Sequence, residues 1–290
     1  MDHVATPFLK WAGGKAKLAQ AVLDRFPRDF GAYHEPFLGG GAVFFRFGDV
    51  HPGSQARIND QNETLAETYR VLRDQTDTLL DRLRSLSDHY LGEDAAGRAA
   101  FYYAVRASEP ADPAGRAARL IFLNRTCYNG LHRINRSGRF NVPHGRYLRP
   151  RILDEDNLRA CAAALASADV SSLDFGAACT AAAPGDAVYL DPPYFPLSTT
   201  SRFTAYTANG FGWPEQERLA AVFRDLTRRG VFALLSNSAH PAISALYESF
   251  EVEEVPMSRA INSRGDRRDS IPELLVSNAN VLAGQLPNPS

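Results

Sequence analysis

Ala32-Tyr33-His34-Glu35-Pro36-Phe37-Leu38-Gly39-Gly40-Gly41-Ala42-Val43-Phe44-Phe45 is the stretch on which the fold turns. Ala32–Phe37 has the aromatic, apolar character of a short strand. Three glycines then make a turn, because glycine accepts backbone dihedrals closed to other residues. The apolar run over Ala42–Phe47 predicts a helix, and Gln55–Asp60 predicts a second strand that ends on an acid. Strand, glycine turn, helix, strand and acid open a nucleotide-binding α/β unit, with Asp60 near the offset at which an acid binds ribose hydroxyls. Taken singly, each element has a plainer reading. Tight turns use glycine whatever the ligand, this one lacks the lysine-serine ending of a phosphate loop, and Asp60 also suits a helix N-cap.

On the N-terminal side, Lys15–Phe26 reads as a helix stopped by Pro27. On the other side the pattern changes. Leu65–Leu91, Ala95–Ala107 and Arg116–Cys127 are helical in spacing, interrupted by Pro110-Ala111-Asp112-Pro113. Leu131–Tyr147 is polar and turn-rich, with Arg136-Ser137-Gly138-Arg139 at the bend of a β-hairpin. From Asp154 the α/β alternation resumes, with a helix to Leu165, strands at Ala168–Leu173, Asp186–Leu190, Val231–Ser236, Phe250–Val255 and Pro272–Ser277, and helices at Pro214–Arg228 and Pro241–Tyr247. The last fifteen residues read as weakly structured. The expected architecture is a doubly wound α/β sheet, built from 1–64 and 150–290, interrupted by a helical and β-hairpin insert over 65–149.

Length and composition fit an ordinary globular chain: 290 residues, 44% hydrophobic, 22% charged, net charge −1. Overall charge therefore does not announce a nucleic-acid binder, but its distribution does. Residues 116–151 hold nine Arg and no Asp or Glu, interleaved with Tyr, Phe, His and Asn. A basic run is usually a solvated face, a reading that suits Arg116 and Arg119; the aromatic and amide interleaving favours phosphate and base contact for the rest. The only lysines are Lys10, Lys15 and Lys17. Cys127, Cys161 and Cys179 lack paired metal-ligand spacing and read as reduced thiols, with no metal site. Neither a signal peptide nor a membrane-length apolar run is present, so a soluble, cytoplasmic protein is expected.

Four motifs carry chemistry. Asp191-Pro192-Pro193-Tyr194 follows the strand Ala187-Val188-Tyr189-Leu190. An amino group on a heteroaromatic ring is a poor nucleophile, because its lone pair is delocalised. The Asp191 carboxylate and the Pro192 carbonyl are two acceptors able to draw its hydrogens and free that pair. The prolines fix φ and remove amide donors, giving a rigid frame of carbonyls, and Tyr194 offers a face for stacking. A plain Pro-Pro turn is the competing reading. Second, Glu35, Phe37, Gly39 and Gly41 allow a backbone to approach a phosphate-free adenosine. Third, Lys10-Trp11-Ala12-Gly13-Gly14-Lys15 places an indole and an ammonium beside flexible backbone, although a lone Trp is most often core. Fourth, Tyr128-Asn129-Gly130-Leu131-His132-Arg133 runs on to Arg139, Pro143 and Arg146. Arg133 and Arg139 have the side chain that most often reads guanine. The stretch Phe195–Trp213 reads as a lid over the Asp191 turn.

Together these segments resemble the Dam-type family of N6-adenine DNA methyltransferases, in the class whose cofactor motif precedes the recognition insert and the catalytic motif. The likeness covers most of the chain, through FLKWAGGK, EPFLGGGAVFF, NDQN, YNGLHRINRSGRFNVPHGRY, DPPYFPLSTTSRFTAYT and ELLVSN. It implies a Rossmann-like methyltransferase sheet and S-adenosyl-L-methionine as cofactor, held by Trp11, Lys15, Glu35, Phe37, Gly39, Gly41, Asp60 and Asp191. It implies that Asp191, Pro192, Pro193 and Tyr194 are catalytic. Lys10 matches a contact to the outer guanine, Tyr128 and Asn129 match residues that enter the base stack, and Leu131, Arg133 and Pro143 match base readers, with Arg139 and Arg146 adding DNA contact. The implied target is adenine in GATC, flipped out of the duplex. A nucleoid-associated monomer acting on double-stranded DNA is expected, with room for a cognate restriction endonuclease. Two features depart from the pattern: near-neutral net charge, and His132 and His144 among the readers.

Other substrates stay open at this level. Cytosine N4, RNA adenine and protein glutamine are planar nitrogen centres too, although Asp rather than Ser at 191 and the basic insert weigh against cytosine and protein. A non-catalytic DNA-binding protein on the same fold is the remaining class.

Overall fold

The computed structural model describes residues 4–16, 18–135, 137–195, 211–255 and 272–285. Its seven strands are β1 (Tyr33–Glu35), β2 (Ala56–Asn59), β3 (Ala168–Ser171), β4 (Ala187–Leu190), β5 (Phe232–Ser238), β6 (Glu251–Val255) and β7 (Glu273–Ser277). They form a sheet in the order β3-β2-β1-β4-β5-β7-β6. The pairs β2–β3, β1–β4 and β4–β5 are parallel, and β7 is antiparallel to both β5 and β6. This is the doubly wound α/β sheet that the alternation of elements predicts. By its contacts the chain divides into two compact units: Met1–Leu23 with Leu38–Leu173, and Asp24–Phe37 with Asp174–Ser290.

The first unit carries β2, β3 and the helices α1 (Ala19–Leu23), α2 (Ala42–Val50), α3 (Glu63–Asp74), α4 (Thr76–Gly92), α5 (Ala95–Ala107), α6 (Pro113–Thr126) and α7 (Glu155–Leu165). Polar caps fix where these helices start: Asn62, Asp94 and Asp112 accept from the backbone N–H of Leu65, Gly97 and Gly115. The single helix expected over Leu65–Leu91 is two. The Thr76 hydroxyl bonds back to the Leu72 carbonyl at 2.7 Å, and Gln75 leaves helical dihedrals. α3, α4 and α6 pack together, with Leu65, Tyr69, Leu72, Leu83, Tyr90 and Phe122 buried on them. The hairpin expected over Leu131–Tyr147 is a bend with isolated antiparallel bridges, Ile134 to Phe140 and Cys127 to His144, rather than two strands. The Asn135 carbonyl oxygen of the side chain takes the N–H of Ser137 and of Arg139, so amides that would extend a ladder are spent locally. Arg136 and Lys17 lie outside the described residues.

The second unit carries β1, β4, β5, β6 and β7 with α8 (Phe175–Cys179), α9 (Trp213–Arg228), α10 (Pro241–Leu246) and α11 (Ala279–Gln285). Every residue of β1, β4 and β5 is buried. Val188 and Leu190 of β4 and Leu235 of β5 pack with Leu219, Phe223 and Tyr247 in one core. The edge strand β6 shows Glu251, Glu253 and Glu254 to solvent, which blocks further strand pairing. α11 falls where the sequence reads as weakly structured. It follows Asn278, whose buried amide accepts from Ala233 N–H and donates to the Val231 carbonyl and the Thr227 hydroxyl. α8 was likewise unforeseen. All three cysteines are unpaired and buried, and burial pushes the Cys127 thiol up to about 11, which makes it a poor nucleophile. Among the described residues no helix is long and apolar enough to cross a membrane.

Candidate functional site

In the second unit, parallel β1, β4 and β5 bring their carboxyl ends to one edge, and the strand order reverses between β1 and β4. Ligands of open α/β sheets bind outside such a switch point. Glu35 ends β1 there, and Asp191-Pro192-Pro193-Tyr194 leaves β4 there. Asp191 Oδ1 accepts from the Ser236 hydroxyl at 2.8 Å, and Ser236 Oγ lies 2.9 Å from the Tyr189 hydroxyl. Because Ser236 has one proton and gives it to the carboxylate, Tyr189 is the donor in that second bond. Gln216 Nε2 donates to the Pro193 carbonyl at 3.2 Å, and the Gln216 oxygen accepts from Asn237 Nδ2 at 2.9 Å. Ser238 donates to the Phe195 carbonyl at 2.8 Å, and the Tyr194 hydroxyl donates to Glu273 at 2.7 Å. Among the described residues none donates to the Pro192 carbonyl.

Carboxylates and phenols are paired along this edge of the sheet. Tyr33 donates to Glu35 at 2.7 Å; burial, and then the Glu35 charge, hold its pKa well above the usual range. Burial, followed by the Asp191 charge, does the same for Tyr189 and Tyr194. These phenols therefore stay neutral donors, while Glu35, Asp191 and Glu273 supply acceptors. Beside them Phe37 stacks on Phe175 with centroids 5.3 Å apart, meets Phe211 edge-on at 5.8 Å, and forms a flat apolar surface. The lid expected over Phe195–Trp213 lies, from 196 to 210, outside the described residues.

In the first unit the glycine turn is shaped by Trp11. Gly39 has φ +52°, and a Cβ on it would stand 3.0 Å from Trp11 Cδ1. A side chain there meets both backbone strain and the indole, so glycine is required. Asp60 is no N-cap; Asn62 caps α3 instead. The Asp60 carboxylate accepts from the Gly39 and Asn62 N–H groups, both at 2.9 Å, and burial raises its pKa despite them. Lys15 is buried, with Nζ 2.8 Å from the Gly13 carbonyl it donates to. Trp11 is half-buried rather than core, and stacks on His132 at 4.9 Å.

That stack joins the N-terminal motif to the basic stretch. Asn124, buried at the end of α6, accepts from Lys10 N–H at 2.8 Å and donates to the carbonyls of Lys10 and Gly130 at 2.8 and 3.2 Å. Lys10 Nζ lies 4.6 Å over the Tyr147 ring. Tyr128, Leu131, Ile134 and Leu148 are large apolar residues left exposed along this stretch, and Asn129 adopts the left-handed φ of 54°. Arg133 donates to the Asn141 side chain at 2.7 Å, Arg139 pairs with Glu109 at 3.5 Å, and both are exposed, as are Pro143 and Arg146. Burial holds His132 and His144 below the ordinary histidine pKa, so neither adds charge at neutral pH. Arg116, on Glu67, and Arg119, on the Val105 and Arg106 carbonyls, are structural.

Sequence reasoning missed Gln216, Asn237, Ser238 and the hydroxyl of Ser236. The one signal was a strand, Phe232-Ala233-Leu234-Leu235-Ser236-Asn237-Ser238, that ends in three polar residues while staying in register with the core.

Comparison with known proteins agrees with this geometry. A family model described as D12 class N6 adenine-specific DNA methyltransferase matches residues 11–261. The type II methyltransferase M.MjaIII of Methanocaldococcus jannaschii is 41% identical over 94% of this chain and 98% of its own length. The type II methyltransferase M1.LlaDCHI of Lactococcus lactis is 36% identical over 94% and 95%. The DNA adenine methylase of Escherichia coli K12 is 33% identical over 93% and 94%. A match across most of the chain, with an acceptor-lined proline turn at the end of β4, shows that this chain belongs to the D12 class of N6 adenine-specific DNA methyltransferases.

Proposed function

We propose that this enzyme transfers the methyl group of S-adenosyl-L-methionine to the N6 of an adenine flipped out of duplex DNA, within the sequence GATC. The observation that carries the reading is the Asp191–Tyr194 turn. One carboxylate oxygen of Asp191 is fixed by Ser236, and the Pro192 carbonyl receives no donor from any described residue. Asp191 and Pro192 accept the two N6 hydrogens, draw the nitrogen toward tetrahedral geometry, and stabilise the positive charge that grows on it during attack. Tyr194 stacks the flipped base. Extrusion costs a few kcal/mol, which contacts from Tyr128 and Asn129 in the emptied stack offset.

The residues present suit the cofactor. Trp11, Glu35, Phe37, the Gly39–Gly41 turn, Asp60 and Asp191 would hold it, with Asp60 as acceptor for ribose hydroxyls. The buried Glu35 carboxylate fits a cationic group, and Phe37 fits its base. When bound, it supplies an electrophilic methyl on a sulfonium. Residues 65–149 act as the target-recognition domain. Lys10 reads the outer guanine, Leu131, Arg133 and Pro143 read bases, and Arg139 and Arg146 contact the duplex, while the rest of the chain forms the catalytic domain. The enzyme acts as a monomer at the nucleoid, and a cognate restriction endonuclease fits the type II relatives. Incubation with plasmid and labelled S-adenosyl-L-methionine, followed by nucleases that separate methylated from unmethylated GATC, tests this. Protection at GATC alone is expected; label in adenine outside GATC overturns the site assignment, and label in cytosine overturns the chemistry.

A further inference from the structure

Ser236, Asn237 and Ser238 close β5 with relative exposures of 0%, 0% and 4%. Gln216, on α9, is also 0% exposed. Four polar side chains buried together cost several kcal/mol unless each is paired. Each is, and the pairs converge on one segment. Ser236 holds the Asp191 carboxylate; Asn237 orients Gln216, which holds the Pro193 carbonyl; Ser238 holds the Phe195 carbonyl. Side chains alternate along a strand, so Ser236 and Ser238 share one face of β5 and Asn237 takes the other. The turn is thus fixed from both faces, before and after Tyr194.

Bond polarity runs one way through this network. Gln216 must present its NH2 to the Pro193 carbonyl, so its oxygen faces Asn237, which must present NH2 in turn. Tyr189 and Ser236 form the matching chain to Asp191. Among the described residues the Pro193 carbonyl has a donor and the Pro192 carbonyl has none, which leaves the substrate one acceptor of the two the prolines offer. We propose that Ser236, Asn237, Ser238 and Gln216 are positioning residues for methyl transfer: a polar template that sets the distance between Asp191 and the Pro192 carbonyl to fit one exocyclic amino group. This rests on the reading in which those two groups accept the N6 hydrogens.

Single-turnover methylation of a GATC duplex at saturating S-adenosyl-L-methionine separates template from scaffold. Gln216→Met keeps volume and removes the donor. Its rate is expected to fall about 10–100-fold while cofactor and duplex Kd stay within about twofold, since small misplacements of reacting groups have effects of that order. Ser238→Ala deletes one hydroxyl, and a smaller fall in the same direction is expected. Gln216→Met combined with Asn237→Leu makes the buried pair apolar; Tm should return toward wild type while the rate stays low. Recovery of rate along with Tm, or wild-type rates in Gln216→Met and Ser238→Ala, overturns the proposal. Asp191→Ala run alongside reads the underlying assignment: a wild-type rate there removes that assignment, whereas loss there with unchanged template variants removes only this inference.

Discussion

Gly130→Ala is a small change with a consequence that can be worked out from its surroundings. Gly130 has φ +63°, and an L side chain in that region costs about 1–2 kcal/mol. The new Cβ would stand 2.7 Å from Lys10 Cβ. Lys10 cannot step aside, because Asn124 grips its N–H and its carbonyl, each at 2.8 Å. Yielding breaks at least one of those bonds, worth about 1 kcal/mol. The lost freedom of the unfolded chain returns about 0.5 kcal/mol. The net is about 2 kcal/mol, a fall in Tm of about 4–8 °C for a chain of this size, read by thermal denaturation. Because Lys10 and the Tyr128–Gly130 turn are displaced together, discrimination between GATC and its one-base variants should weaken as well. A Tm within about 1 °C of wild type, with discrimination intact, would refute the reasoning.

Asp186→Ala should destabilise the second unit by about 3 kcal/mol, since the buried carboxylate accepts from Ala32 N–H, Ala183 N–H and His34. Burial raises its pKa, but those two backbone N–H groups and His34 outweigh it and leave the pKa lowered; that stability is present above the unfolded value near 3.9 and is lost as pH falls through the folded value below it. Acid unfolding monitored by circular dichroism should therefore begin at higher pH in the variant. Asp60→Asn should weaken cofactor binding by about 1–2 kcal/mol in calorimetry. The raised Asp60 pKa makes wild-type affinity fall as pH drops through it, a limb the variant should lack. Arg133→Ala should cost about 1–3 kcal/mol of discrimination at one base pair, measured as relative kcat/KM on substituted duplexes; equal ratios would remove its role as reader.

Much of the fold was legible because period and punctuation coincide. The seven strands fell where short strand-like runs are bounded by turns, even at the Glu-rich edge strand β6, and the order of motifs fixed a doubly wound sheet. What failed was local. Thr76 split a helix through one hydroxyl, Asn135 absorbed hairpin amides, and Asn278 started a helix with an amide that reaches back to β5. Each is a side-chain hydrogen bond that periodicity does not encode. The same holds at the site. Glu35, Asp60 and Asp191 announce themselves by sitting at strand ends. Gln216 lies inside an ordinary amphipathic helix, and its role exists only because α9 brings it to the Pro193 carbonyl.

The proline-framed acceptor pair is tested most directly by Asp191→Asn. The substitution is isosteric and replaces one carboxylate oxygen with an NH2 donor. Single-turnover transfer to N6, scored as N6-methyladenine in digested product at saturating cofactor and duplex, is predicted to fall about 10²–10³-fold with duplex affinity unchanged. Transfer at the wild-type rate would mean that the amino group is activated elsewhere in the protein.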